Sequence, residues 1–292
     1  MDYALHIIVI IGIYGLLSVS LYLPVAQAGL LSVAQAAFFG LGAYVSAILS
    51  TRYGTPFAIE VFFGGAVSAA CSLVVSLAAL RLREDYFVIG SLWFQVIVSQ
   101  IFSNWVELTR GPLGIPGIPP LELPALGLVQ GWAPIMLSAL IVGIGFGAVA
   151  AVVRSPFGRI LRAIREDEWF VASLGKSPYR AKTVTLMTSG ALAGVAGSFY
   201  ARYVGFVDPT SFTINESIYI LSMVILGGER GPLGALWGAV GLTSVPEVLR
   251  YVGFSSQTAG NVRQMLYGCV LCVAVIFLRE NVRRREAVTG GR

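Results

Sequence analysis

Apolar residues occur in long runs along most of the chain, and short polar stretches separate one run from the next. A helix of about 20 mainly apolar residues spans the hydrocarbon core of a bilayer. The runs predict nine spans, at residues 4–24, 28–50, 57–80, 86–104, 133–153, 183–204, 214–228, 232–250 and 263–279. We therefore expect an all-α membrane protein, a bundle of about nine helices (eight to ten), with residues 1–292 as a single transmembrane domain.

The run at 214–228 is short for a complete bilayer crossing. It is followed by a Gly- and Pro-containing turn at 227–232 and by the run at 232–250. Residues 214–250 therefore form either two spans or a re-entrant pair. Non-helical backbone at membrane depth occurs only where it is buried in protein or lines a cavity, so this turn is a candidate part of a transport pathway.

The charges lie mainly in the polar stretches, and they predict an orientation. Residues 154–182, which we call the basic loop, carry seven Lys or Arg against three acidic residues, and residues 279–292 carry five Arg against two Glu. Residues 105–132, which we call the outer loop, are rich in Pro and Gly and carry a net charge of −1. Lys and Arg concentrate in cytoplasmic loops. We expect the basic loop and the C-terminus in the cytoplasm, and the outer loop and the N-terminus outside.

Composition argues against an enzyme. Only 12% of the residues are charged, against about 25% in soluble domains, and the mean hydropathy is +0.79. The net charge of +5 comes from the two basic segments, so it does not indicate a nucleic-acid partner. Cys269 and Cys272 lie in an apolar run and have no second Cys/His pair, so they do not form a metal site. We predict no catalytic residue, no metal and no cofactor.

One short sequence resembles part of a nucleotide-binding motif. Residues 174–177 read Leu-Gly-Lys-Ser, like the end of a P-loop. That motif needs a glycine five residues before its last glycine, and Phe170 occupies this position. If ATP energises the protein, ATP and Mg²⁺ are therefore bound by another subunit.

Polar side chains inside the spans are the candidates for a translocation pathway, because polar groups are costly in lipid. Ser91, Gln95 and Ser99 repeat every four residues and share one face of a helix. Gln35 in the second span and Asn215 at the start of the 214–228 run join them. The alternative is that these groups only join helices by hydrogen bonds, without touching a substrate.

Glycines at helical spacing predict where helices pack closely. Gly190, Gly194 and Gly197 share one face of a predicted span, and Gly143 and Gly147 form a G-x-x-x-G. Such patterns are frequent in multi-span proteins, and they carry no functional signal.

Several segments together resemble a known family. Residues 29–44, GLLSVAQAAFFGLGAY, resemble the G-x-L-S-L-G-H-A-A-F-F-G-I-G-A-Y signature of branched-chain amino-acid permeases, the membrane subunits of Liv-type ABC importers. Residues 83–87 resemble that family's R-G-D-Y segment, and residues 109–115 its T-G-G-P-N-G-I. Residues 158–175 resemble its cytoplasmic G-R-x-L-R-A-I-R-E-D-E…A-L-G loop, and residues 216–228 its E-S-I…M-V-x-L-G-G.

The resemblance implies a permease subunit in the bacterial cytoplasmic membrane that imports branched-chain or other hydrophobic amino acids. It implies a second homologous permease subunit, two cytoplasmic ATP-binding subunits and an extracytoplasmic substrate-binding protein as partners. It also implies that the basic loop couples to the ATPases. The residues expected to act in coupling are Gly158, Arg159, Arg162, Ala163, Arg165, Glu166, Asp167, Glu168, Leu174 and Gly175.

The chain departs from the family pattern at several positions, and the departures leave the substrate open. Gln35 replaces the family's His, Leu113 replaces an Asn of the outer loop, and Trp169 stands where many ABC permeases carry the Glu of an E-A-A motif. Relatives of similar sequence import urea, amides or aromatic acids. Outside this class, a secondary carrier or facilitator that works without ATPases, or a structural subunit of a membrane enzyme complex, remain alternatives.

Overall fold

The computed structural model describes residues 2–79, 84–123, 127–128, 132–228, 231–251 and Gly268. These residues form eleven α-helices and four strands of two residues each. The helices are α1 (Asp2–Tyr22), α2 (Gln35–Tyr53), α3 (Phe57–Ala79), α4 (Glu84–Asn104), α5 (Val106–Thr109), α6 (Ala133–Arg154), α7 (Pro156–Glu166), α8 (Glu168–Ser173), α9 (Pro178–Val204), α10 (Ile214–Gly227) and α11 (Pro232–Tyr251). The strands are β1 (Ile115–Pro116), β2 (Glu122–Leu123), β3 (Gly127–Leu128) and β4 (Phe206–Val207).

The prediction of an all-α membrane protein is confirmed at the level of helices. Within the described residues, five segments are long and apolar enough to cross a membrane: Tyr3–Gln27, Phe57–Leu77, Tyr86–Asn104, Ala133–Arg154 and Pro178–Val204. The helix α10 has 14 residues and is about 21 Å long, shorter than the ~30 Å hydrocarbon core. The run at 263–279 lies outside the described residues apart from Gly268. The count of nine spans therefore stays a prediction.

Glycines allow α2, α3 and α9 to pack backbone against backbone at the centre of the protein. A Cβ on Gly194 of α9 would collide with the carbonyl oxygen of Gly64 in α3, and a Cβ on Gly42 of α2 would collide with Gly194. A Cβ on Gly197 would collide with the carbonyl oxygen of Phe39. The predicted contact face on α9 is confirmed, whereas Gly143 and Gly147 of α6 have no atom within 4 Å of an added Cβ.

The helices α10 and α11 form a hairpin that packs against α1. Gly227 and Gly234 face each other across it, and Gly238 lies against the carbonyl oxygen of Met223. Ser18 of α1 donates a hydrogen bond to the carbonyl oxygen of Ala235 at 2.7 Å. The short α10 is therefore held between α1 and α11.

The outer loop and the basic loop lie at opposite ends of the bundle. Strand β1 of the outer loop pairs with β4, which follows the far end of α9, with Ile115 opposite Val207. The basic loop precedes α9, and its helix α7 contacts the segment that follows α1. This arrangement agrees with the predicted assignment of the two loops to different sides, and the direction of the axis stays a prediction.

A buried ion pair joins α3 to α9 near the outer loop. Arg202 Nη2 lies 2.5 Å from Glu60 Oε1, and its Nε donates to Glu60 Oε2 at 2.8 Å. Glu60 is 0% exposed and Arg202 is 7% exposed. Arg202 also donates to the carbonyl oxygens of Thr55 and Pro119, so the pair fastens the outer loop to the bundle. Sequence analysis did not identify Arg202 as a partner for Glu60.

Candidate functional site

The chain between α1 and α2 is not helical, although the hydrophobic run there predicts a span that begins at residue 28. A π-helical turn, Leu23–Gln27, ends α1, and α2 begins only at Gln35. Residues 28–34, which we call the break, contain Gly29 at φ +71°, a conformation that few other residues adopt. The predicted start of the second span is wrong by seven residues, because hydropathy alone does not distinguish a buried extended segment from a helix.

The break leads into the N-terminus of α2, and side chains from other helices bind its free N–H groups. The first N–H groups of a helix have no partner within that helix. Here the N–H of Ala36 donates to Ser217 Oγ at 2.9 Å, and that of Ala37 donates to Gln95 Oε1 at 2.6 Å. The N–H of Val33, in the break, donates to Ser91 Oγ at 3.0 Å. The helices α4 and α10 therefore hold the start of α2.

Gln35 and Gln95 extend these contacts into a network of neutral polar groups. Gln35 Nε2 donates to Ser20 Oγ at 2.6 Å, and Ser189 Oγ lies 3.5 Å from Gln35 Oε1. Gln95 Nε2 donates to the carbonyl oxygen of Phe212 at 2.8 Å. Ser217 Oγ donates to Gln95 Oε1 at 3.0 Å. We call Ser20, Gln35, Ser91, Gln95, Ser189 and Ser217 the polar cluster.

The polar cluster is buried and lies at the middle of the bundle. All six residues are at most 2% exposed, and Gln95 and Ser189 stand near the midpoints of α4 and α9. Three of the five predicted pathway residues, Gln35, Ser91 and Gln95, belong to it. The structure does not bring the other two into it: Ser99 is half-buried one turn further along α4, and Asn215 is exposed.

Three members of the polar cluster were not among the predicted pathway residues. Ser20 and Ser189 lie on α1 and α9, where a single serine in an apolar run gives no signal by itself. Ser217 lies two residues after Asn215, the residue selected in that run. Every described side chain of the cluster has a hydrogen-bond partner within the chain, and a role in transport stays a prediction.

The basic loop forms two short helices, α7 and α8. Ser155 accepts a hydrogen bond from the N–H of Gly158 and so caps α7, and Asp167 Oδ1 accepts one from the N–H of Phe170 at 2.9 Å and caps α8. Leu161, Ile164 and Val171 are buried against the bundle. Both helices therefore lie on the end of the protein with one face free.

The free face of the loop carries large apolar side chains. Trp169 is 88% exposed, Phe170 60% and Leu174 64%, and we call these three residues the docking face. An exposed apolar patch with polar residues around it is typical of a protein or membrane interaction site. Of these three, sequence analysis named only Leu174 as a coupling residue. Two aromatic residues directly after a helix cap in a charged loop could have indicated the other two.

The predicted coupling residues divide into two groups in the structure. Seven are exposed: Arg159, Arg162, Arg165, Glu166, Asp167, Leu174 and Gly175. The others pack or bond within the chain. Gly158 is buried and Ala163 is half-buried, while Glu168 binds Lys182 at 2.5 Å. Although Arg162 and Arg165 are exposed, their guanidinium groups bind residues 26 and 27 of the same chain.

Comparisons with known proteins agree with this architecture. A profile of the family described as "Branched-chain amino acid transport system / permease component" matches residues 3–275. Over 261 residues the chain is 34% identical to the high-affinity branched-chain amino acid transport system permease protein LivM of Salmonella typhimurium, and 33% identical to LivM of Escherichia coli K12. Each alignment covers 82% of this chain and 61% of the relative, so the chain spans about three-fifths of the length of these relatives.

A more distant similarity reaches a protein with another substrate in its name. The chain is 22% identical to the guanosine ABC transporter permease protein NupQ of Bacillus subtilis over 230 residues, which are 73% of this chain and 71% of the relative. No solved structure matches the chain.

Proposed function

The chain belongs to the family of permease components of branched-chain amino acid transport systems, and from this premise we propose that it is the membrane-spanning subunit of a bacterial ABC importer. In this proposal it binds no ATP itself. Two cytoplasmic ATPases, a second homologous permease subunit and an extracytoplasmic binding protein complete the transporter. The observation that supports the proposal most is the docking face on the loop that the family resemblance assigns to coupling.

We propose that the ATPases bind the basic loop through the docking face. The buried cores of protein interfaces are enriched in Trp and other aromatic side chains, which fill pockets of the partner. Trp169 and Phe170 have this chemistry, and Arg159, Glu166 and Asp167 would form a charged rim around them. Hydrolysis at the partner would then move α7 and α8 relative to the bundle.

We propose that substrate passes at the polar cluster. Transporters commonly place their sites near the middle of the membrane, where a discontinuous helix exposes its N-terminus. Here the break interrupts the chain before α2, and the N–H groups at the start of α2 bind Ser217 and Gln95 of the polar cluster. The cluster offers hydroxyl and amide groups without a net charge, which suits the brief passage of a zwitterion that a binding protein has already selected.

The substrate class that fits best is a hydrophobic amino acid, branched-chain amino acids included. LivM of two bacteria carries that substrate in its name and is more similar to this chain than the guanosine permease is. Urea, amides and aromatic acids are the other candidates within this class. The six residues of the polar cluster are all neutral, and this does not favour any one of these substrates over another.

Reconstitution tests this proposal against an ATPase-independent carrier. The chain would be purified with its candidate partner permease, ATPases and binding protein, and placed in vesicles with radiolabelled leucine, urea or phenylalanine outside. We expect uptake only with ATP on the ATPase side and with the binding protein present. Uptake by the permease alone, driven by an ion gradient, would instead show a secondary carrier.

A further inference from the structure

Arg162 and Arg165 of α7 contact the chain on both sides of the junction between α1 and the break. Arg165 Nη1 donates to the carbonyl oxygen of Ala26 at 2.7 Å. Its aliphatic part covers Gly29, where an added Cβ would lie 3.1 Å from Arg165 Cγ. Arg162 Nη1 donates to Gln27 Oε1 at 3.1 Å. The amphipathic helix of the basic loop is therefore attached to the beginning of the break.

The side-chain amide of Gln27 connects α7 to α1. It is 6% exposed, and its Nε2 donates to the hydroxyl of Tyr22 at 2.8 Å, while its Oε1 accepts from Arg162. One amide thus joins α7 to the last turn of α1. Hydrogen bonds to a charged guanidinium are roughly twice as strong as neutral ones, and the planar group fixes their direction. A displacement of α7 therefore pulls on residues 26–27.

The other end of the break is the polar cluster. Seven residues outside any helix lie between the π-helical turn and α2, and Leu30, Ser32 and Ala34 among them are buried. Hinges are short stretches outside regular elements that absorb changes of backbone angle. Because the N–H of Val33 is bound to Ser91, a shift of the break alters the contacts of the cluster.

We infer that Arg162 and Arg165 are positioning residues, which carry a displacement of α7 and α8 through the break to the start of α2 and so open or close the polar cluster. This inference rests on the proposed function. It gives the two arginines a different contact from the ATPase surface that their sequence position predicts. Gln27, which is buried in the protein, becomes part of the same connection.

A double-mutant cycle between Arg162 and Gln27 tests the inference in the reconstituted transporter. In Arg162→Ala, in Gln27→Leu and in the double variant, we expect the ATPases to remain bound and to hydrolyse ATP at a rate within about twofold of the parent. Uptake per ATP should fall by about tenfold in each single variant and no further in the double, because both changes remove one connection.

Two further variants separate this connection from charge and from folding. Arg180→Ala removes a positive charge from an exposed position of the same loop, and it should leave uptake per ATP unchanged. Gln27→Glu keeps an oxygen for Arg162 and should restore coupling that Gln27→Leu has lost. If residue 27 only filled space, coupling would not depend on whether its side chain can accept a hydrogen bond from Arg162.

A reporter in the break reads the movement itself. Leu31 is 38% exposed, so Leu31→Cys, in a protein whose native cysteines are replaced by serine, can be labelled by a thiol reagent. We expect its labelling rate to change between the nucleotide-free complex and the complex with ATP and vanadate. In Arg162→Ala and in Gln27→Leu the two rates should be equal.

The possible outcomes distinguish a failure of this inference from a failure of the proposed function. Additive losses in the double variant, or release of the ATPases by Arg162→Ala, would overturn the inference and place Arg162 in the docking surface, while ATP-driven uptake by the parent would still stand. A parent complex that takes up no substrate with ATP would reject the proposed function first.

Discussion

At the scale of single residues, hydrogen bonds between neutral polar groups join the helices at the centre of the bundle. Gln35 bonds to Ser20 of α1 and Ser189 of α9, whereas Gln95 bonds to three other segments, and both glutamines are buried. A buried polar group without a hydrogen-bond partner costs roughly 1–3 kcal/mol. Each amide therefore contributes to stability mainly by pairing the buried donors and acceptors around it. The same residues can therefore hold the fold and line the route.

Gln95→Leu separates these two roles. The substitution leaves the N–H of Ala37 and the carbonyl oxygen of Phe212 without their partner, so the melting temperature should fall, by an amount that corresponds to roughly 1–3 kcal/mol for each group. Gln100→Leu, on an exposed face of the same helix, is the matched control and should leave the melting temperature unchanged. A pathway role adds slower uptake at a temperature where the variant is folded. Normal uptake there would exclude it.

The buried ion pair gives a second prediction at this scale. Glu60→Leu leaves the guanidinium of Arg202 buried and unpaired, which costs about 3–5 kcal/mol in buried pairs of this kind. The double variant Glu60→Leu with Arg202→Leu removes both charges and should be more stable than the single one. Denaturation in detergent measures both. A double variant that is less stable than Glu60→Leu alone would contradict the assignment of a paired, desolvated charge.

At the scale of elements, regular helices follow from the hydrophobic pattern and the irregular segments do not. The predicted runs at 57–80, 86–104 and 133–153 agree with α3, α4 and α6 to within a few residues. The break does not follow, because it is as apolar as a helix and is held by residues distant in sequence: Ser91 binds the N–H of Val33, and the aliphatic part of Arg165 covers Gly29. Hydropathy reports the environment of a segment, whereas its conformation depends on those distant partners.

Glycine to alanine changes test the packing of the elements. Gly194→Ala would force α9 away from the backbone of α2 and α3, and overpacking of this kind costs about 1–3 kcal/mol. Gly143→Ala, on a face of α6 with no atom within 4 Å, is the matched control and should not lower stability. Thermal denaturation of the two variants decides. Equal melting temperatures would show that α9 does not pack as closely as described.

At the scale of the whole molecule, the structure places two differently charged loops at opposite ends of the bundle. The candidate site is only partly predictable from sequence. The face of α4 with Ser91 and Gln95 follows from helical spacing, because that rule is local. The serines of α1 and α9 and the inward bonds of Arg162 do not, since they depend on which helices become neighbours.

The orientation of the molecule is tested by thiol labelling in intact cells. In a protein without native cysteines, Leu113→Cys, in the exposed outer loop, should react with an impermeant reagent added from outside. Lys176→Cys, exposed in the basic loop, should react only after the cells are opened. The excess of positive charge in the basic loop is the physical reason. Labelling in the reverse order would place the docking face outside and exclude its role.

The central claim is that partner ATPases bind the docking face, and photo-crosslinking tests it most directly. A photoreactive amino acid at position 169, in place of Trp169, should form a covalent adduct with the ATPase subunit in the assembled transporter, because that side chain is 88% exposed on the free end of the loop. The same group at Met136, exposed near the other end of α6, should form none. An ATPase adduct at position 169 and none at 136 is the predicted result. Adducts with the ATPase at neither position, in a complex that still hydrolyses ATP and transports, would contradict the account.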